Sequence, residues 1–152
     1  MVGRAMRMRF PYGLRVTVEA TVHPSEDPKK VFRAIASIFG DSGRVGSSKG
    51  SMQVVYDGPS CLEKVYEDVR TKRTVSALRR LLRRSVRGST ASFLLNKQAA
   101  TRGSVVLCEE EAESPLGPLR VKLETAAIEE LIEWLAPQVS PPERKLRQRQ
   151  LH

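Results

Sequence analysis

Leu14-Arg15-Val16-Thr17-Val18-Glu19-Ala20-Thr21-Val22 is the stretch from which the fold is read. Val16, Val18, Ala20 and Val22 alternate with Arg15, Thr17, Glu19 and Thr21, a period of two that marks a strand with one buried and one wet face. Ser25-Glu26-Asp27-Pro28 follows. There Asp27 can cap the free amides of a helix and Pro28 fits its first position. Val31, Ala34, Ile35 and Ile38 then repeat at helical spacing until Gly40. A half-wet strand followed by an amphipathic helix points to a sheet with helices on its dry side.

The rest of the chain extends the pattern. Gly43 to Gly50 reads as a loop or irregular strand leading to a strand through Met52, Val54 and Tyr56. Lys49-Gly50-Ser51 has the wrong order for a phosphate loop, which needs Gly-Lys-Ser/Thr after a buried strand. Ser60 opens a helix carrying Leu62, Val65, Tyr66 and Val69, and a second helix from about Thr74 to Val86 continues it or follows a kink. Thr90 to Asn96, Ser104 to Glu109 and Leu119 to Glu124 are β-prone, and a last helix runs from about Ala126 to Leu135. The expected fold class is α+β, a mostly antiparallel sheet with helices packed on one face. Residues 1–13 read as a basic flexible lead-in, 14–137 as a single α+β domain and 138–152 as a basic polar tail.

Charge supplies the clue to function. Of 152 residues, 26 are Lys or Arg and 17 Asp or Glu, a formal charge of +9 that steers polyanions. From Arg70 to Arg102 there are ten basic residues and no acidic one. At 100° per residue from Val75, Leu78, Leu82 and Val86 stay within about 60°, whereas Arg73, Arg79, Arg80, Arg83, Arg84 and Arg87 fill an arc from roughly 40° to 180°. One side is built for burial and the other for anions. If six such groups meet phosphates, log affinity falls against log salt with a slope of roughly 4 to 5. Glu109 to Glu133, by contrast, holds eight Glu against Arg120 and Lys122, an acidic pole opposite the basic one.

Cys61 and Cys108 are far apart and have no CxxC partner, so free thiols in a reducing cytoplasm are expected. No run approaches the 18 or so apolar residues of a membrane span.

Several segments resemble an archaeal family of small uncharacterised proteins described as predicted RNA-binding or exosome-associated subunits. They are Val18-Glu19-Ala20 with Ser25-Glu26-Asp27-Pro28, Phe93-Leu94-Leu95-Asn96-Lys97-Gln98-Ala99-Ala100, Ser114-Pro115-Leu116-Gly117-Pro118 and Trp134-Leu135-Ala136-Pro137. The resemblance spans Leu14 to Pro137. It implies a fold similar to the large-subunit ribosomal protein that binds five-S RNA, an RNA partner, a link to RNA processing or degradation, and no catalytic residue.

Asn96, Lys97 and Gln98 beside Arg102 have two readings. They form a compact RNA contact, or Asn96 and Gln98 satisfy the backbone of a tight connection. His23 and His152 have no evident Ser or Cys partner, and the Glu109 to Glu113 run does not make the separated pair of carboxylates that acid/base chemistry uses; a weak Mg²⁺ site in that run is the one catalytic alternative. The expectation is a non-catalytic protein without cofactor that contacts structured RNA through Arg73, Arg79, Arg80, Arg83, Arg84, Arg87, Asn96, Lys97, Gln98 and Arg102. Aromatic residues make up only 5% of the chain, which disfavours base stacking on a sheet. The alternative is a protein-interaction subunit whose basic face meets an acidic partner or the Glu-rich edge of a second copy.

Overall fold

A computed structural model describes residues 10–138. Among them the chain forms β1 (Arg15–Thr21), α1 (Pro28–Phe39), β2 (Arg44–Ser48), β3 (Ser51–Asp57), α2 (Glu63–Thr71) and α3 (Val75–Ser85). It continues with β4 (Thr90–Leu95), α4 (Lys97–Thr101), β5 (Leu107–Cys108), β6 (Leu119–Glu124) and α5 (Ile128–Leu135). Single 3-10 turns at Ser60–Leu62 and Glu111–Glu113 complete the order.

The six strands make one sheet, ordered β2-β3-β1-β6-β4-β5, and every pairing is antiparallel. β1 lies near its centre, so its alternation sets the faces. Val16, Val18 and Ala20 are buried with Met52, Val54 and Tyr56 of β3 and Leu119, Val121 and Leu123 of β6. The helices cover that face with Ile35, Leu62, Leu78, Leu82, Leu131, Ile132 and Leu135, all fully buried. The other face carries Arg15, Thr17 and Glu19 and stays open.

Local chemistry explains the helix ends. Asp27 caps α1 by accepting from the Lys29 amide at 3.0 Å, with Pro28 in the first turn. α2 and α3 are separate helices. The Thr74 amide reaches back to Val69 O and the Arg73 amide to Arg70 O, the double hydrogen bond that closes a Schellman C-cap.

Three expectations change. The folded body reaches back beyond Leu14, because Phe10 is buried and its ring packs edge-to-face with Tyr12 and tilted against Trp134. Residues 1–9 of the lead-in and 139–152 of the tail lie outside the described residues. Arg44–Ser48 is a regular edge strand although all five residues are exposed; its register is imposed by β3, with Arg44 opposite Val55, and not by any apolar alternation of its own. Asn96 to Ala100 is not a plain connection but the start of α4, capped when Asn96 Oδ1 accepts from the Ala99 amide at 2.8 Å.

Gly43 shows how tightly the edge is seated. A Cβ there would lie 2.5 Å from Val54 Cγ1 and 2.8 Å from the Tyr56 ring, and Tyr56 is itself pinned by its hydroxyl donating to Gly40 O at 2.7 Å. Gly43→Ala is therefore expected to cost about 1–3 kcal/mol through overpacking. Urea unfolding measures it, and an unchanged midpoint would refute this packing.

Candidate nucleic-acid interface

α3 forms because Val75, Leu78, Leu81 and Leu82 face the core while its arginines, good helix formers, take the outside. Arg73 and Arg87 lie just beyond its two ends. The remaining four arginines do not stand free. Arg79 pairs with Glu133 at 2.8 Å and donates to Ala136 O. Arg83 meets Glu129 at 2.6 Å and Glu133 at 3.7 Å. Arg80 and Arg84 share Glu109, at 3.1 and 3.8 Å. The expected row of unneutralised guanidinium groups is thus corrected: α5 and the segment after β5 bring the acidic pole of the sequence against the basic one. The Glu-rich edge expected of a second copy is supplied by the same chain. The hydrogen bond from Arg79, seconded by the charge of Arg83, holds the Glu133 carboxyl below the usual carboxylate range.

The Asn96-Lys97-Gln98 group divides. Lys97 is 3% exposed, and its ammonium donates to Thr21 O at 2.9 Å, Leu116 O at 2.7 Å and Glu26 Oε1 at 3.1 Å. All three of its protons are committed, so it is withdrawn from any solvent-side partner. Asn96 caps α4 and also donates to Glu113 O. Gln98 and Arg102 are exposed on α4 and at its end. Three of the segments that carry the family resemblance, around Glu26, Lys97 and Leu116, therefore converge on one buried ion pair.

The open sheet face holds a depression of about 410 Å³ lined by Arg15, Glu19, Arg44, Gln53, Arg120, Lys122 and Glu124. Its charges alternate. Arg15 lies opposite both Asp57 and Glu124, and Glu19 opposite Arg120, while Arg44 reaches Asp57 at 2.7 Å and Arg120 reaches Glu111 at 2.8 Å. With Asp57 and Glu111 counted beside the lining residues, the four cations there face four carboxylates. The carboxylates of Glu109, Glu111 and Glu113 turn to separate partners, and among the described residues no group of three His, Cys, Asp or Glu could hold a metal ion.

Comparison with known proteins matches residues 15–125 to the model of a family described as RNA binding. The chain belongs to this RNA-binding family. A UPF0201 protein of Metallosphaera sedula is 37% identical over 128 residues, covering 83% of this chain and 90% of its own length. One from Sulfurisphaera tokodaii is 34% identical over 130 residues, covering 83% and 89%. The solved UPF0201 structure from Methanococcus jannaschii superposes with a TM-score of 0.68 at 27% identity, over 84% of this chain and 96% of that one. The stretch matched to the RNA-binding family takes in all six strands and α3 and ends before α5. Glu129 and Glu133 lie beyond it, although the arginines they face lie within. Among the described residues no helix is long and apolar enough to cross a membrane.

Other cations of this family member were not singled out by sequence. Lys29, Lys30 and Arg33 lie on the exposed side of α1, which contains no acidic residue, and Lys64 lies on α2. Among the described residues, none of the four faces a carboxylate within ion-pair distance, and neither do Arg73, Arg87 and Arg102. For Arg33 the signal was present in the sequence: a basic residue on a helix with no acid three or four positions away. Arg73 has a backbone peculiarity too. Its φ is 59°, in the left-handed region that costs a non-glycine residue roughly 1–2 kcal/mol.

Proposed function

We propose that this protein binds structured RNA through the phosphate backbone, with the outer arc of α3 as one contact surface. The observation that carries the reading is the four outward arginines of α3, flanked by Arg73 and Arg87 beyond its ends, in a chain of an RNA-binding family. The internal ion pairs weaken that arc without removing it. Arg80 and Arg84 keep 56% and 58% of their side-chain surface, and a guanidinium has five donors, so one can hold a glutamate and a phosphate together. Exposed pairs of this kind contribute only about 0–1 kcal/mol each. They orient the arginines and lower the net field.

Recognition is of shape and charge. α3 offers arginines outward and no aromatic ring. The test is binding of a labelled RNA hairpin by Arg80→Gln/Arg84→Gln over a range of salt. Affinity is expected to fall roughly tenfold and the salt slope to shrink by about 1 to 2. The melting temperature should hardly move, since both side chains are exposed. Unchanged affinity with an intact fold would remove α3 from the interface.

A further inference from the structure

We infer that a second phosphate-contacting surface, built from Arg33, Lys64, Arg73 and Arg102 around the segment after α4, continues the RNA track from α3 toward α1. It rests on the RNA-binding reading above and names where that reading finds its unpaired charge.

The four side chains belong to different elements, and the packing gathers them. α1 is fastened to α4, since Ser37 Oγ donates to Ala100 O, and Lys30 and Thr101 line the same cleft. Lys64 of α2 runs beside Gly103, where an added Cβ would meet Nζ at 3.3 Å. Lys72, just past the end of α2, donates to Ser104 Oγ and Val105 O, each at 2.8 Å. The segment Arg102 to Val105 is therefore laid along α2 with α1 at its start, and Arg73 projects at the far end of α2. The carboxylates nearby are engaged: Asp68 accepts from the Val105 amide and pairs with Lys72, Asp27 caps α1, and Glu26 holds Lys97. The cations of this ledge share α2 with Glu63 and Glu67, each of which has a partner of its own.

Arg73 supplies the second argument. α2 and α4 both end in the same Schellman arrangement. In α4 the left-handed position is Gly103, at φ 72°, with the Ser104 amide bonded to Ala99 O and its own amide to Ala100 O. In α2 the equivalent position is Arg73. The backbone at that site favours glycine. One chain that uses glycine for one such cap and arginine for the other holds the arginine for its side chain. A residue that breaks the local rule without a structural gain points to function.

The measurement uses the full chain and a mixed-sequence RNA hairpin of about 20 base pairs, titrated by fluorescence anisotropy between roughly 50 and 200 mM salt. Arg73→Gly should leave the melting temperature unchanged or raise it by about 2–4 °C, yet weaken binding about 3- to 10-fold and reduce the salt slope by about 0.7–0.9. Arg33→Gln/Arg102→Gln should weaken binding at least about tenfold and reduce the slope by roughly 1.5. If both variants bind as the parent does while Arg80→Gln/Arg84→Gln is impaired, the second surface is refuted and the RNA reading survives. If the parent ignores the hairpin but binds polyglutamate at the same salt, both fail and the ledge is a dock for an acidic protein.

Discussion

Lys97→Met is expected to destabilise the protein by about 3 kcal/mol or more and to leave RNA affinity of the folded form unchanged. The side chain of Lys97 is 4% exposed and that of Glu26 15%, so losing the cation strands a carboxylate in a largely dry site, a class of change that typically costs about 3–5 kcal/mol. Thr21 O and Leu116 O lose a donor at the same time. The damage spreads because the ammonium joins the end of β1, the approach to α1 and the turn between β5 and β6. Against a typical total stability of about 5–15 kcal/mol, urea unfolding should register it clearly. Adding Glu26→Gln should recover part of the loss, since a neutral amide is cheaper to bury than an unpaired charge. A cost below about 1 kcal/mol would contradict the buried-pair account. A selective loss of RNA binding would return Lys97 to the interface.

The second large effect is a gain. Neutralising Glu109, Glu129 and Glu133 together to glutamine should raise affinity for an RNA hairpin by about 10- to 100-fold at about 0.1 M salt and steepen the salt slope by roughly 2. These carboxylates offset Arg79, Arg80, Arg83 and Arg84 and would repel a phosphate brought to the same arc. All three are more than half exposed, so the loss of their pairs should cost little stability. If affinity stays level or drops, the outer arc of α3 does not meet RNA.

Much of the fold was legible because β1, β3 and β6 alternate cleanly and α1 and α3 carry unbroken apolar stripes; these patterns follow directly from burial on one side. β2 and α4 were not. Arg44-Val45-Gly46-Ser47-Ser48 has no apolar alternation, and only the partner strand makes it a strand. Lys97–Thr101 is a single short turn of helix whose existence depends on the cap from Asn96. The site was legible as a distribution of charge along the chain but not as a field in space. Counting acids between Arg70 and Arg102 cannot detect Glu109, Glu129 and Glu133, which approach α3 only after the sheet has formed and α5 has packed. In the same way Lys97 reads as a phosphate contact until Glu26, distant in sequence, closes over it. The cations of the proposed second surface, Arg33, Lys64, Arg73 and Arg102, are scattered through the chain, and only tertiary packing brings their elements together.

Net charge is also unevenly placed. Residues 1–9 hold three arginines, and residues 139–152 hold four basic groups against Glu143, so six of the nine net charges lie in the two flanks. Any RNA affinity of the described body comes from where its cations sit, not from a large excess.

The most direct test is the salt dependence of hairpin RNA binding by the full chain beside Arg73→Gly and Arg80→Gln/Arg84→Gln. Phosphate contact through unpaired and half-free cations predicts a slope of at least about 3 for the parent, shallower for each variant, with no loss of melting temperature. A slope near zero, or one that neither variant alters, would contradict it.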